Sequence, residues 1–185
     1  MSEADRQRWN ERYTTQPSSL SDGPDSLLIR FRHLLTGGRA LDLACGVGQN
    51  ALWLAGQGYQ VDAIDISDVA LDLLRAEAER RGLPVRVIQA DLDNYRLPAA
   101  TYDLVAVFYF LDRRLAAQIV AALRPSGLLI YETWNVRWLI DKPKTKRLYL
   151  LEIGELGQLF AGLEVIWDSD AAGETGVTSS LVARK

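Results

Sequence analysis

The stretch Arg39-Ala-Leu-Asp-Leu-Ala-Cys-Gly-Val-Gly-Gln-Asn-Ala-Leu-Trp-Leu-Ala55 limits what this chain can fold into more than any other. Ala40, Leu41 and Leu43 read as a short buried strand, with Asp42 where the strand should end. Gly46 and Gly48 read as a tight turn, and Asn50 to Leu54 as the opening of a helix. Glycines at such a turn let the backbone bend sharply and let a ligand approach the bare main chain. The first N–H groups of the helix have no partner inside it. A junction of this kind, at the carboxyl edge of a parallel sheet, is where nucleotide-like ligands bind.

The spacing alone leaves two ligands open. Gly46-x-Gly48-x-x-Ala51 fits the dinucleotide fingerprint, and Asp65 lies near the expected distance downstream, which keeps an NAD-dependent oxidoreductase in play. Asp42 argues the other way. A carboxylate just ahead of the glycines repels a pyrophosphate, which prefers a helix N-terminus clear of negative charge. It suits a ligand with a cation there, such as the amino group of a methionine-like moiety, and so favours S-adenosylmethionine.

Asp42-Leu-Ala-Cys-Gly-Val-Gly48 resembles motif I of the class I S-adenosylmethionine-dependent methyltransferases. The flanking pattern is similar to the small-molecule branch that includes the tellurite-resistance methyltransferases. The resemblance runs from Trp9-Asn-Glu-Arg-Tyr13 to Leu181-Val-Ala-Arg-Lys185. It implies S-adenosyl-L-methionine as cofactor, held by Asp42, Ala44, Cys45, Gly46, Gly48, Asn50, Asp65, Ile66, Ser67, Asp91, Leu92 and Phe108. Within that set Asp65 would accept the ribose hydroxyls and Asp91 the adenine amine, with Leu92 alongside and Asp93 as a competitor. The resemblance also implies a seven-stranded sheet of order 3-2-1-4-5-7-6. Trp9 and Tyr13, four apart on one helix face, either cover the cofactor as part of an N-terminal helical lid over residues 1–36 or simply dock the helix.

Composition narrows the class further. With 185 residues the chain is long enough for one domain with a proper core. A net charge of −3 points away from nucleic acid. Cys45 is the only cysteine, which excludes an internal disulfide and suits a reducing, cytoplasmic setting. The start of the chain is charged from Glu3 to Arg12, unlike a signal peptide, and the apolar run from Leu104 to Leu111 is too short to span a bilayer. His33 is the single histidine, so no metal site is expected. The expected state is a monomer or small homo-oligomer acting on a small molecule.

The remaining pattern is an alternation of strand and helix. Pro24 should open a helix carrying Leu27, Leu28, Phe31, Leu34 and Leu35, after a loop from Gln16 to Asp25. Further strands are expected at Tyr59–Asp65, Leu83–Asp91, Tyr102–Phe108 and Leu128–Trp134, the last after an Arg124-Pro-Ser-Gly127 turn. Ser67–Arg81 and Leu115–Leu123 should be helices. Leu163–Trp167 and Ser179–Ala183 should pair as closing strands. This predicts an α/β, doubly wound, mostly parallel sheet whose last strand is antiparallel, with helices on both faces.

No general base stands out. Tyr109, Asp112 and Arg113, which leave the fourth strand, are the candidates for catalysis, with Tyr131 as a further helper. Arg113 either steers an anionic acceptor or lies on a helix face. Arg137, Lys142, Lys144, Lys146 and Arg147 form a basic segment that is either an entrance for small anions or a solvated loop. The expected function is methyl transfer from S-adenosylmethionine to a small-molecule acceptor, with an anion among the candidates. An NAD-dependent oxidoreductase and a non-catalytic S-adenosylmethionine-binding protein are the alternatives.

Overall fold

Strand after strand in this chain ends in a polar turn that leads into a helix, and the parallel sheet follows from that repetition. The computed structural model describes residues 3–15, 23–174 and 176–185. Seven strands form one sheet of order β3-β2-β1-β4-β5-β7-β6, the order that the methyltransferase resemblance implies. By their contacts the residues group into two compact units, 1–96 and 97–185.

The first unit holds α1 (Glu3–Thr15), α2 (Ser26–Arg30), β1 (Gly38–Leu43), α3 (Gln49–Gly56), β2 (Tyr59–Asp65), α4 (Asp68–Arg81) and β3 (Val85–Gln89). β1 and β3 both pair parallel to β2, with Leu41 opposite Asp62 and Val61 opposite Val85. Leu41, Leu43, Leu54, Ile64, Leu71 and Leu74 are fully buried between these strands and helices. α4 begins where the Ser67 hydroxyl accepts the Ala70 amide and stops at Gly82, whose φ of +63° suits glycine.

α2 is shorter than the apolar stripe suggested. Asp25 caps it, and the chain leaves the helix at Phe31 (φ −102°, ψ 17°) for a 3-10 turn over Arg32–Leu34. Of the loop expected at 16–25, residues 16–22 lie outside the described residues. β3 also ends early. The Asp91 carboxylate accepts the Asp93 amide at 2.9 Å and the Asn94 side-chain amide at 2.8 Å, which turns the chain away from the ladder.

The second unit holds β4 (Tyr102–Phe108), α5 (Ala116–Ala122), β5 (Leu123–Trp134), α6 (Glu155–Leu159), β6 (Glu164–Asp168) and β7 (Thr178–Arg184). β4 and β5 are parallel, whereas β7 runs antiparallel to both β5 and β6. The expected Arg-Pro-Ser-Gly turn is instead a bulge inside β5. Leu123 pairs with Tyr102, the pairing resumes at Leu128 opposite Leu104, and Ser126 takes a φ of +67°. The bulge is held by the end of the chain, where the Ser126 amide donates to the Lys185 carbonyl and the Lys185 amide to the Gly127 carbonyl.

One buried charge joins the first unit's strands. Asp62 on β2 is 3% exposed and accepts Arg39 of β1 at 2.9 Å and Arg86 of β3 at 2.8 Å. Both guanidinium groups reach water, so losing the acid strands neither cation in apolar surroundings. Asp62→Ala should therefore lower unfolding free energy by only about 1–2 kcal/mol, read from urea denaturation midpoints. Arg39→Ala should cost less than Asp62→Ala, because Arg86 still pairs with the acid.

Candidate active site

The glycine turn is built by β1 and β2 together. After Leu43 the backbone enters the left-handed region at Ala44 (φ 58°), Gly46 (φ 54°) and Gly48 (φ 80°). The Cys45 amide donates to the Ile64 carbonyl at 3.0 Å, which extends the β1–β2 ladder into the turn. Asp65, at the end of β2, accepts the Gly46 amide at 2.8 Å and the Ser67 amide at 2.9 Å, one on each carboxylate oxygen. Gly48 opens α3, and its lack of a side chain is needed for packing. A Cβ there would come within 2.3 Å of Leu74.

Asp42 and Asp65 are both buried, at 2% and 7% exposure. Burial pushes Asp42 up to about 7, against the pull of the Ala51 amide and with a further push from Asp65. One Asp42 oxygen, Oδ2, is buried without a hydrogen-bond partner. Burial also raises Asp65, opposed by the amides of Ser67, Gly46 and Ile66.

Above the turn lies Tyr13. A Cβ on Gly46 would sit 2.5 Å from the Tyr13 hydroxyl, so the phenol occupies the space that the missing side chain leaves. Burial, and then the charge of Asp65, hold this hydroxyl well above the usual tyrosine range. Trp9 stacks on Tyr13 with centroids 6.0 Å apart, and Arg12 lies over the Trp9 ring at 5.1 Å. α1 is pinned to the start of α4, where Asn10 donates to Asp68 at 2.8 Å and accepts the Ser67 hydroxyl at 2.7 Å.

Several expected residues thus meet within the first unit: Asp42, Ala44, Cys45, Gly46, Gly48, Asp65, Ser67 and Tyr13 surround one turn. Ile66, between Asp65 and Ser67, is buried. Asn50 holds the approach to α2 by accepting the Asp25 amide at 2.8 Å. Asp91 is occupied by its own turn, beside a buried Leu92. Asp93 is exposed. An orphaned carboxylate oxygen beside a turn with no side chain fits a cofactor that brings a cationic amino group to bare backbone.

In the second unit the catalytic candidates have other duties. Asp112 accepts the Arg114 amide and guanidinium, an ion pair that holds its carboxyl below the usual range. Arg113 makes a two-pronged pair with Glu155 and also donates to the Leu148 and Leu150 carbonyls, which removes it from anion steering. Tyr131 is buried and donates to the Phe110 carbonyl at 2.9 Å. Phe108 ends β4 and is 8% exposed. Tyr109 is exposed, and its hydroxyl donates to Glu132. Sequence reasoning missed Glu132. Its signal was present, an acid inside the apolar run of β5, but only the strand register shows what it faces.

Residues 40–127 match a family model described as a methyltransferase domain. Over that stretch the chain is similar to methyltransferase domains, and its fold is that of the class I S-adenosylmethionine-dependent methyltransferases. Relatives include hemagglutinin 1 of Eikenella corrodens, 31% identical over 73% of this chain and 47% of that protein. The ribosomal RNA small subunit methyltransferase C of Alcanivorax borkumensis is 30% identical over 56% of this chain and 36% of that protein. The ubiquinone biosynthesis O-methyltransferase of Coxiella burnetii is 25% identical over 69% and 56%. The chain therefore spans between about a third and just over half of these relatives' lengths. An S-adenosylmethionine-dependent methyltransferase from Mesorhizobium loti shares the fold, with a TM-score of 0.71 at 19% identity over 90% of this chain and all of that one. The match favours methyl transfer over the oxidoreductase alternative, in agreement with the carboxylate at Asp42.

The raised Asp42 gives a signed pH dependence. Its folded value of about 7 lies above the 3.8 of an ordinary aspartate. Its contribution to stability is thus complete below about pH 4 and is lost as pH rises toward 7. Across that window wild type should lose on the order of 4 kcal/mol relative to Asp42→Asn. Urea midpoints of the two ligand-free proteins, measured at pH 4 and pH 8, check this. A gap that does not change with pH would contradict the assignment.

Proposed function

We propose that this protein transfers the methyl group of S-adenosylmethionine to a small-molecule acceptor. The observation that carries the reading is the buried, unpartnered oxygen of Asp42 beside the Gly46 turn. Asp42 would hold the amino group and Asp65 the ribose, with Ala44, Cys45, Gly46, Gly48, Asn50, Ile66 and Ser67 around them. Asp91, Leu92 and Phe108 would complete the set. When bound, the cofactor supplies a methyl group activated on a sulfonium. The chain's own part is to bind, to orient the acceptor and to keep water out.

Residues 1–36 would act as a lid on a single methyltransferase domain. Tyr13 fills the space over Gly46, and so must move aside before a ligand can reach the backbone there. The name of the Coxiella relative specifies an oxygen acceptor and that of the Alcanivorax relative a ribosomal RNA. The net charge of −3 favours the small molecule here. Among the described residues no helix is long and apolar enough to cross a membrane. A reducing cytoplasm, where Cys45 remains a thiol, suits this reading.

Two measurements test it. Below pH 7 the free protein holds a proton on Asp42, and an ammonium beside the carboxylate favours the ionised form. Binding of S-adenosylhomocysteine at pH 6 should therefore release up to about one proton. Calorimetry in two buffers of different ionisation enthalpy reads this release, and Asp42→Asn should lack it. No binding by the wild-type protein would sink the cofactor reading.

The acceptor is an anion in this proposal, and Lys142, Lys144 and Lys146 support it. Arg147 pairs with Glu152, whereas these three lysines have no ion-pair partner among the described residues. Replacing all three by Gln should lower kcat/KM severalfold for an anionic acceptor at low salt, and that difference should shrink at high salt. An unchanged kcat/KM would make the segment a solvated loop.

A further inference from the structure

Tyr109 follows β4 with a φ of +53°. A bulky residue holds such a conformation only where its surroundings impose it, and such sites cluster at ligand clamps and active centres. Here β5 imposes it. The Tyr109 amide donates to the Glu132 carbonyl at 2.8 Å, and the hydroxyl to Glu132 Oε1 at 3.2 Å. The other carboxylate oxygen accepts the Ser180 hydroxyl from β7. The Tyr109 ring lies against Trp134 with centroids 4.9 Å apart, and Trp134 stacks on Trp138 at 4.0 Å.

A strained residue, a carboxylate and a ladder of rings therefore meet at the carboxyl ends of two parallel strands, the edge where α/β sheets bind ligands. Separations of 4.0–4.9 Å leave no room for a further ring between these. Tyr109, at the end of the ladder, is 47% exposed. A flat π-face selects a flat ligand, and a carboxylate selects a proton donor. The Tyr109–Glu132 contact is long and its donor ring is exposed, so it is the contact that yields to an incoming hydroxyl.

We propose that Glu132 and this ladder form the acceptor site, and that the acceptor is a hydroxylated aromatic ring whose hydroxyl donates to Glu132. The proposal rests on the methyl-transfer reading. As the acceptor oxygen becomes the nucleophile, its proton passes to Glu132 and the electron pair of the O–H bond stays on oxygen. The carboxylate becomes a neutral acid and returns the proton to solvent. A ring acid such as 3,4-dihydroxybenzoate offers both a hydroxyl for Glu132 and an anion for the lysines.

Tryptophan fluorescence of the full chain, titrated with catechol, reads ring stacking directly and needs no turnover. Catechol should quench saturably, and Glu132→Gln should weaken its binding roughly tenfold or more. In wild type, 1,2-dimethoxybenzene has no hydroxyl proton and should bind more weakly by a similar factor. It should not respond to the substitution. S-adenosylhomocysteine affinity should be the same in both proteins, which shows that the variant is folded. Equal catechol affinity in wild type and Glu132→Gln would overturn the proposal, as would equal affinity of wild type for catechol and dimethoxybenzene. Catechol quenching that depends on Glu132 in a chain that does not bind S-adenosylhomocysteine would keep the aromatic site and remove the methyl-transfer reading. Binding of S-adenosylhomocysteine without catechol quenching would do the reverse.

Discussion

The hydrogen bond from the Gly46 amide to Asp65 decides the shape of the glycine turn. It joins the turn after β1 to the last residue of β2, and the second Asp65 oxygen takes the Ser67 amide just before α4. One buried carboxylate thus fixes two strand-to-helix crossings. Each bond is charge-assisted and stronger than a neutral one, which offsets the cost of burying the acid. It also holds the turn's left-handed residues, including Ala44, which has no glycine freedom to ease its φ of 58°. A group committed to the fold in this way presents a fixed oxygen pair to any ligand that arrives.

Asp42 stands in contrast. It is as buried as Asp65, yet one of its oxygens has no partner, and burial drives its carboxyl up to about 7. A buried polar atom without a partner costs stability, and an apolar side chain would avoid that cost. Retaining an acid here makes physical sense where a ligand completes the site with a donor or a cation. The two acids differ: Asp65 shapes the turn, and Asp42 keeps an unpartnered oxygen beside it.

What the sequence made legible was local. Strand periodicity, glycine spacing and acids at strand ends are read within a few residues, whereas the sheet order came from the resemblance to the methyltransferases and not from those patterns. Ser67 as a cap and Gly82 as a stop were legible for the same reason. The misses were all long-range or fine-grained. For Tyr13 the sequence left two readings open, covering the pocket or docking the helix, and its contact with Gly46, 33 positions on, is one that no local pattern decides. The apolar stripe from Leu27 to Leu35 has helical spacing, but the backbone leaves the helix at Phe31. Pro125 and Gly127 signal a turn, and only pairing with β4 shows it to be a bulge within a longer strand. Glu132 gains its meaning from register, since Phe108 and Ser180 are its neighbours across the ladders.

Arg113, a charged residue after a central strand, is committed to contacts within the fold. Its guanidinium holds the Glu155 carboxylate and two backbone carbonyls, Leu148 and Leu150. The Glu155 carboxylate in turn accepts the Glu152 amide at 2.8 Å. The flat, forked guanidinium can satisfy these acceptors at once, which the single ammonium of a lysine cannot do in the same geometry. The end of the basic segment is thereby fastened down, along with the first turn of α6. Among the described residues of the segment ahead of it, Lys142, Lys144 and Lys146 have no ion-pair partner and outnumber Asp141, so the segment carries net positive charge on a short arc that is anchored at its far end. An arc anchored there keeps its charges near one place, and a field confined in this way attracts an anion more strongly than the same charges on a free tail.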